Sequence, residues 1–246
     1  LNLSVMPKFV ITGGAKLSGT IAVKGAKNAG LKIIPAAILS QDKITINNLP
    51  DIEDISRSFD ILTDLGATVV KEGEAYIVDT SSISHTELKH SLANKLRASI
   101  MFVGPLLARF GEVKFPHPGG CVIGAGQRPI DLFLEGFAKM GAGISTVDNY
   151  YHLTADKLRG CEFFFTTVTV TGTESMMMTA TLAEGQTILS NCAMEPEIVA
   201  LAEYLNSVGA KISGAGTPVI TIEGVAKIGG GEFTPIADRI EAGTFA

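Results

Sequence analysis

A loop rich in glycine and proline carries the two side chains of this sequence that are best suited to chemistry. It reads PHPGGCVIGAGQRP from Pro116 to Pro129, and its three prolines and four glycines exclude a regular helix or a central strand. It contains Cys121 and Arg128, a thiol and a guanidinium. Loops on a rigid scaffold commonly hold binding and catalytic groups. A free cysteine is often only a small buried residue, but the glycines and prolines around Cys121 argue against burial.

Polar or basic residues directly precede three apolar helical segments. Lys27 and Asn28 come before the first, Arg97 before the second, and the threonine-rich stretch 168–173 before the third. A cation beside the N–H groups of a helix start favours phosphate, and an amide suits a sugar hydroxyl. The alternatives are an exposed lysine in a turn, an arginine extending to solvent and a strand end. Each signal is weak alone, but three related positions together favour an anion-binding site.

Other candidate residues have a structural explanation at least as good as a functional one. Asp131 either caps a helix start or accepts hydrogen bonds from a ligand base. The segment Glu195–Glu197 suits the first turn of a helix, where carboxylates interact favourably with the helix dipole. We expect Cys161 and Cys192 to be small buried residues, and His117 to be a spacer between two prolines.

The composition is that of a globular, cytoplasmic protein that binds neither nucleic acid nor membranes. The 246 residues are 46% hydrophobic and carry a formal net charge of −5, which argues against a broad basic surface. The three cysteines are widely spaced and form no CxxC pair, so a structural zinc site is not expected, and free thiols suit a reducing cytosol. The longest apolar stretch, residues 98–108, is too short to span a bilayer.

The elements that must position these residues recur three times along the chain. Gly66, Gly141 and Gly209 each end an amphipathic helix at the position where a left-handed residue is needed. Each amphipathic helix is preceded by a buried helix and a short strand, and is followed by two strands. The buried helices are expected at 31–39, 98–108 and 176–183, and the strands after them at 43–46, 112–115 and 186–189.

We therefore predict an α/β (α+β) fold of three repeated αβαββ units. The units would close around a pseudo-threefold axis as an inside-out α/β barrel, with the buried helices central and the sheets outside. The alternative is three unrelated segments that merely share a Gly-Ala ending. A true repeat is favoured because the type and order of the helices recur as well as the dipeptide.

A strand–turn–strand–helix junction also recurs, at residues 9–34, 151–178 and 219–246. The last copy stops inside what should be a fourth buried helix, which would leave backbone groups unsatisfied. We therefore expect a longer protein whose second, similar domain is largely missing here. Residues 1–26 are assigned to N-terminal strands of that second domain, 27–236 to the complete three-repeat domain with the Cys121 loop, and 237–246 to the truncated start of the second domain.

Seven short segments together resemble the UDP-N-acetylglucosamine enolpyruvyl transferases, and so imply the enolpyruvate transferase fold. The lysine–asparagine pair and the PGGC loop are the most specific, and the sister family of shikimate-pathway enzymes lacks the cysteine loop. The matching segments run through nearly the whole chain: GAKNA at 25–29, LRASI at 96–100, PGGCVIG at 118–124, RPIDL at 128–132, TLAEG at 181–185, EPEI at 195–198 and DRIE at 238–241.

The resemblance implies addition of the 3-hydroxyl of UDP-N-acetylglucosamine to C2 of phosphoenolpyruvate and then loss of phosphate, the first committed step of peptidoglycan synthesis. Lys27 and Arg128 would hold the phosphate of phosphoenolpyruvate, and Asn28 would orient the sugar hydroxyl. Arg97 would help to hold the closed loop and the anionic ligand. Cys121 would serve in proton transfer to C3 and in product release, and would be the target of the epoxide antibiotic fosfomycin.

The resemblance further implies that Pro129, Asp131 and Leu132 line the uridine site, and that Thr169 and Val170 meet the diphosphate. It implies no metal and no other cofactor, and its partners are the two small-molecule substrates. No oligomer is predicted. The family's aspartate base and further arginines would lie beyond the last residue, so the 246-residue chain alone is expected to be inactive.

The sequence departs from the family pattern at two places. Residues 125–127 lengthen the spacing before Arg128, and Thr167 stands where many relatives carry a lysine. These departures bear on how the loop closes and on the role of the arginine. Two other functions stay open: a truncated, non-catalytic paralogue that binds a nucleotide sugar, and a repeat protein without a ligand.

Overall fold

Each predicted repeat forms a buried helix, a strand, a surface helix and two strands in the computed structural model, which describes residues 8–16, 18–119 and 130–246. The first repeat comprises α1 (Lys27–Ala36) with a 3₁₀ turn at Ala37–Leu39, β1 (Ile44–Ile46), α2 (Glu53–Asp64), β2 (Thr68–Glu72) and β3 (Ala75–Asp79). The second comprises α3 (His90–Ala93), a 3₁₀ helix at Arg97–Phe102, α4 (Val103–Phe110), β4 (Glu112–Pro116), α5 (Asp131–Lys139), β5 (Gly143–Val147) and β6 (Tyr150–Thr154). The third comprises β7 (Glu162–Phe164), α6 (Val170–Ala180), β8 (Gln186–Ser190), α7 (Pro196–Ser207), β9 (Lys211–Ser213) and β10 (Val219–Glu223), and is followed by β11 (Glu232–Phe233) and α8 (Arg239–Phe245).

Each repeat forms its own sheet, and the strand that follows the buried helix of that repeat pairs in parallel with a segment from a junction between repeats. The strand orders are β11–β1–β3–β2, β4–β6–β5 and β7–β8–β10–β9. β11 pairs in parallel with β1, and β7 with β8. In the second sheet the equivalent place is held by Glu87, which forms a parallel bridge with Lys114. The strand that follows the third repeat therefore returns to the first, while closure into a complete barrel stays a prediction.

The three Gly-Ala endings are Schellman caps, as the left-handed glycines predict. The φ angles are 106° at Gly66, 99° at Gly141 and 113° at Gly209. The alanine after each glycine donates its N–H to the carbonyl five residues back, at 2.9–3.0 Å. These alanines are only 5–8% exposed, so the small side chain is needed as well as the left-handed residue.

The two strands expected at the start of the junction at residues 9–34 are not formed in the described residues 8–16 and 18–24. Phe9, Val10 and Ile11 are 97%, 82% and 88% exposed. A strand needs a paired neighbour to satisfy its backbone groups, and no described residue pairs with this segment before it reaches Ala237 and Asp238. The division at 1–26, 27–236 and 237–246 stays a prediction.

Candidate functional site

α1 and the second buried segment run side by side in the same direction. α1 contacts the 3₁₀ helix at 97–102, and the 3₁₀ turn at 37–39 contacts α4. At the far end, Nη1 of Arg109 donates to the carbonyl oxygens of Ile38 and Ser40, both at 2.9 Å. Lys27 and Arg97, which begin the two segments, therefore lie at the same end.

α6 meets α1 close to the start of both helices. Nζ of Lys32 lies 3.3 Å from Oε2 of Glu174. Lys32 is the fifth residue after Lys27, and Glu174 is the fourth after Val170. With a rise of about 1.5 Å per residue, each helix start lies about 6–8 Å along its axis from this ion pair. The central helices thus begin near one another, and we call this region the open end: Lys27, Asn28, Arg97, Thr169 and Val170.

Lys27 begins α1 with its side chain partly in solvent. Its Nζ lies 2.6 Å from Oδ2 of Asp54 in the first turn of α2, and the lysine side chain is 46% exposed. Its N–H donates to Oδ2 of Asp238 at 3.1 Å. Asn28 follows as the second residue of the helix and is half-buried. Because a half-exposed ion pair is weak, an anionic ligand can compete with Asp54 for the ammonium group.

Asp238 ties the start of α8 to the start of α1. Its Oδ1 accepts the N–H groups of Ile240 at 2.9 Å and Glu241 at 3.0 Å, which caps α8. Partial burial raises the pKa of Asp238, but the backbone N–H groups of Glu241, Lys27 and Ile240, together with the Arg239 charge, hold the pKa below its ordinary value. The carboxylate is therefore kept charged at the open end.

The glycine-rich loop leaves β4 beside the segment that leads to Arg97. The N–H of Gly119 donates to the carbonyl of Ala93 at 3.2 Å. A Cβ on Gly119 would overlap the backbone of Asn94, so this close approach requires glycine. Arg97, half-buried, follows three residues later as the first residue of its 3₁₀ helix.

Three predicted site residues of the loop, Cys121, Arg128 and Pro129, lie outside the described residues, and their roles stay predictions. Before them, His117 is half-buried, and its Nδ1 lies 3.1 Å from the carbonyl oxygen of Pro118. This local contact agrees with the interpretation of His117 as a spacer.

Thr169 is the N-cap of α6. Its hydroxyl oxygen accepts the N–H of Gly172 at 3.2 Å, and its carbonyl oxygen accepts the hydroxyl of Thr173 at 2.8 Å. The threonine-rich stretch is therefore a helix cap and not a strand end, since β7 ends at Phe164. The first N–H groups of a helix have no partner inside it, which suits the oxygens of an anion at Val170.

α5 begins at Asp131, and of the two interpretations of this residue the helix cap is wrong, while the ligand contact stays a prediction. The N-cap is Ile130, and its side chain makes no capping hydrogen bond. Asp131 is instead the first helical residue and is exposed, while Leu132 is half-buried. A Cβ on Gly136 would overlap the side chain of Met176, which shows that α5 packs on the middle of α6. The start of α5 thus lies about 8 Å along its axis from α6.

One buried ion pair and one pair with a buried carboxylate and a half-exposed arginine lie beneath the open end, and the sequence analysis missed both. Lys32 is 4% and Glu174 0% exposed. Burial raises the pKa of Glu174 to about 7, although nearby Lys32 lowers it. Glu197, 3% exposed in the first turn of α7, accepts from Nε of Arg239 at 3.2 Å. The available signal for the first pair was a lysine within the apolar stretch 31–39 and a glutamate two residues before the stretch 176–183.

The two described cysteines are free thiols. Cys192 is 3% exposed, as expected, and burial raises its pKa to about 11. Cys161 is half-buried, less than predicted, and burial raises its pKa as well. Within residues 8–16, 18–119 and 130–246, no three His, Cys, Asp or Glu side chains are grouped to hold a metal ion. Over the same residues, every helix is too short or too polar to cross a membrane.

The fold and the family model agree on the class of protein. The model described as EPSP synthase (3-phosphoshikimate 1-carboxyvinyltransferase) matches residues 11–246, and the chain belongs to this family. An enolpyruvyl transferase, NikO from Streptomyces tendae, has the same fold with a TM-score of 0.81 at 23% identity, over 95% of this chain and 55% of that one. An EPSP synthase from Acinetobacter baumannii gives a TM-score of 0.74 at 16% identity, over 92% and 52%.

The curated relatives of this chain share one name within this class of enzymes. The UDP-N-acetylglucosamine 1-carboxyvinyltransferase of Desulfatibacillum aliphaticivorans is 48% identical over 240 residues, which cover 98% of this chain and 57% of the relative. Proteins of the same name from Psychrobacter arcticus and Bdellovibrio bacteriovorus are 44% and 47% identical. The chain spans 56–57% of the length of these three relatives. The resemblance seen in the sequence is thus confirmed.

Proposed function

We propose that the complete protein transfers the enolpyruvyl group of phosphoenolpyruvate to the 3-hydroxyl of UDP-N-acetylglucosamine in the cytoplasm, as the first committed step of peptidoglycan synthesis. The sugar oxygen forms a bond to C2 as its hydroxyl proton passes to a base, while a proton is added to C3 and the C2=C3 double bond is lost. The C2–O bond to phosphate then breaks, and a proton leaves C3. The products are the enolpyruvyl ether of the nucleotide sugar and inorganic phosphate.

The basic groups of the open end would bind the reacting phosphate. Lys27 would exchange its Asp54 contact for the phosphate of phosphoenolpyruvate, together with Arg128. Asn28 would orient the sugar hydroxyl, and Arg97 would help to hold the anionic ligand and the closed loop. Cys121 would carry the proton for C3, because a thiol whose pKa is lowered by cations is a suitable acid near neutral pH.

The nucleotide would lie along the starts of α5 and α6. Pro129, Asp131 and Leu132 would line the uridine site, where the exposed carboxylate of Asp131 can accept N–H groups of the base. Thr169 and Val170 would meet the diphosphate at the start of α6, where the helix dipole favours negative charge.

One observation carries this proposal: the central helices begin near one another with Lys27, Arg97 and Val170 at their first positions. Two phosphorylated substrates need several converging anion-binding groups, and helix starts supply them without a metal. The relatives named UDP-N-acetylglucosamine 1-carboxyvinyltransferase indicate which nucleotide sugar to test first.

The proposal is tested by phosphate release from phosphoenolpyruvate with the complete natural protein. Release should require UDP-N-acetylglucosamine, and it should fall by at least about 100-fold in Arg97→Ala. Arg159→Ala, an exposed arginine on the junction after β6, is the matched control and should keep wild-type activity. If the protein binds the nucleotide sugar but never releases phosphate, the enzymatic proposal fails and the non-catalytic binding protein replaces it.

A further inference from the structure

Lys32 and Glu174 form a buried ion pair at a position where two apolar side chains would be expected to stabilise the fold at least as well. The side chain of Lys32 is 5% and that of Glu174 0% exposed, and the two face each other between α1 and α6 at 3.3 Å. Within the described part of the chain, Lys32 is the cation in contact with the Glu174 carboxylate, and no other described donor reaches its oxygens. Desolvating two charges costs about as much as their attraction returns, and apolar side chains of similar volume are often at least as stable.

The charges around this pair come from the ends of α7 and α8. Glu195 and Glu197, at the start of α7, both act unfavourably on the Glu174 carboxylate. The negative charge of Glu197 is compensated by Arg239 at the start of α8, whose Nε lies 3.2 Å from Oε1 of Glu197. Lys32 is thus the cation that balances Glu174 directly, and the pair joins α1 to α6 without adding net charge.

We propose that Lys32 and Glu174 are positioning residues that fix the first turns of α1 and α6 relative to each other. The pair lies four to five residues inside both helices, a little more than one turn after Lys27 and Val170. In some proteins a buried polar or ionic group fixes the register of two packed helices, and the Lys32–Glu174 pair is placed to do so here. The consequence for ligand binding rests on the proposed function, because it treats these helix starts as phosphate-binding groups.

The decisive variant is the double substitution Lys32→Met with Glu174→Gln. It keeps the side-chain volumes and the net charge of the pair, so it removes the ionic contact without leaving one charge buried alone. The melting temperature should stay at or above the wild-type value. Amide hydrogen exchange should nevertheless become faster in residues 27–31 and 170–174, and isothermal titration should show about tenfold weaker binding of UDP-N-acetylglucosamine.

The single variants and a surface pair provide the controls. Lys32→Met and Glu174→Gln each strand one buried charge and should lower the melting temperature, which the double variant restores. The exposed pair Lys157–Glu184, with side chains 67% and 55% exposed, is changed in the same way by Lys157→Met with Glu184→Gln. That variant should match the wild type in exchange and in affinity.

The outcomes test the positioning role of the pair and the proposed function separately. If the double variant exchanges and binds like the wild type, the pair is merely structural and the inference is overturned. Faster exchange with unchanged affinity also overturns its role in ligand binding. If the wild type does not bind the nucleotide sugar at all, the proposed function fails, and the exchange rates alone then decide whether the pair positions the helices.

Discussion

The two ends of the central helices each carry a basic residue, which is hydrogen-bonded within the protein at one end and accessible to solvent at the other. We call the end with Ile38, Ser40, Thr80 and Arg109 the closed end. There, Arg109 donates to the carbonyls of Ile38 and Ser40 and to the hydroxyl and carbonyl of Thr80, at 2.8–3.2 Å. At the open end, the ammonium group of Lys27 pairs with the carboxylate of Asp54, and the lysine side chain is 46% exposed.

This difference follows from the direction of the helices. Their last carbonyls carry partial negative charge, which the partly buried guanidinium of Arg109 satisfies from within the protein. Burial lowers the pKa of Arg109, and its partners Ser40 and Thr80 are both 1% exposed, so its place is structural. The helix starts present N–H groups instead, and these can be satisfied by an anion from outside. A basic residue at a helix end therefore indicates function only where the protein leaves it accessible.

The largest effect is expected at the open end, from Lys27→Ala. The catalytic efficiency kcat/KM of the complete protein should fall by about 100-fold or more, since the ammonium is proposed to hold the reacting phosphate. The melting temperature should hardly change, because the Lys27–Asp54 contact is half-exposed. Phosphate release and thermal unfolding measure the two quantities, with Lys157→Ala as the surface control. Full activity in Lys27→Ala would break the comparison between the two ends.

At the closed end, Arg109→Met should lower the stability of the protein but leave its ligand affinity unchanged, the opposite of what is expected for Lys27→Ala. Loss of four hydrogen bonds, with buried oxygens left unsatisfied, should cost about 2–4 kcal/mol of unfolding free energy. Urea denaturation measures this cost against Arg159→Met, which removes an exposed guanidinium and should cost little. Under conditions where the variant is folded, affinity for UDP-N-acetylglucosamine should equal that of the wild type. A folded Arg109→Met protein with lost affinity would show that the closed end also serves the ligand.

Between the two ends, Gly104→Ala tests how closely the central helices must pack. A Cβ at Gly104 would overlap Oγ1 of Thr179, which donates to the Ser175 carbonyl at 2.7 Å. The overlap should lower the unfolding free energy by about 1–3 kcal/mol. The higher helix propensity of alanine relative to glycine should offset part of this loss. Gly243→Ala in α8 is the matched control: its Cβ would meet no atom within 4 Å, so it should be neutral or stabilising. Equal urea midpoints for the two variants would contradict close packing here.

The smallest effect is expected from Asp238→Asn at the open end. The lowered pKa of Asp238 means that its charge stabilises the folded chain above the ordinary aspartate pKa of 3.8, and that this contribution is lost as the pH falls. The variant should therefore be less stable than the wild type by about 0.5–1 kcal/mol at neutral pH, and the difference should vanish in acid. Urea unfolding across this pH range measures it. A difference that grows on acidification would contradict the assigned pKa direction.

The features that the sequence predicted correctly are those with local causes. The order of elements follows from hydrophobic periodicity, and the endings at Gly66, Gly141 and Gly209 follow from the left-handed cap, which a Gly-Ala pair reveals directly. Lys27 and Arg97 were placed at helix starts for the same reason, because both immediately precede apolar runs. The first turn of α7 after Glu195 was equally visible.

The features that were missed depend on partners distant in sequence. The segment at residues 9–23 has the pattern of strands, yet strand formation requires a neighbour that no described residue supplies. The pairing of Lys32 with Glu174 joins residues 142 positions apart, which periodicity does not indicate. Asp131 was interpreted either as a helix cap or as a ligand contact, but Ile130 holds the cap position, and a sequence pattern locates a helix boundary only to within a residue or two.

The central claim, that ligand phosphate binds at the open end and not at the closed end, is tested most directly by NMR. Titration of ¹⁵N-labelled chain with UDP-N-acetylglucosamine should shift the amide resonances of residues 27–30, 97–99 and 169–173. The amides of Ile38, Ser40, Thr80 and Arg109 should stay in place. Shifts centred on those four residues, or saturating binding of the nucleotide sugar that leaves the helix starts unperturbed, would contradict the account.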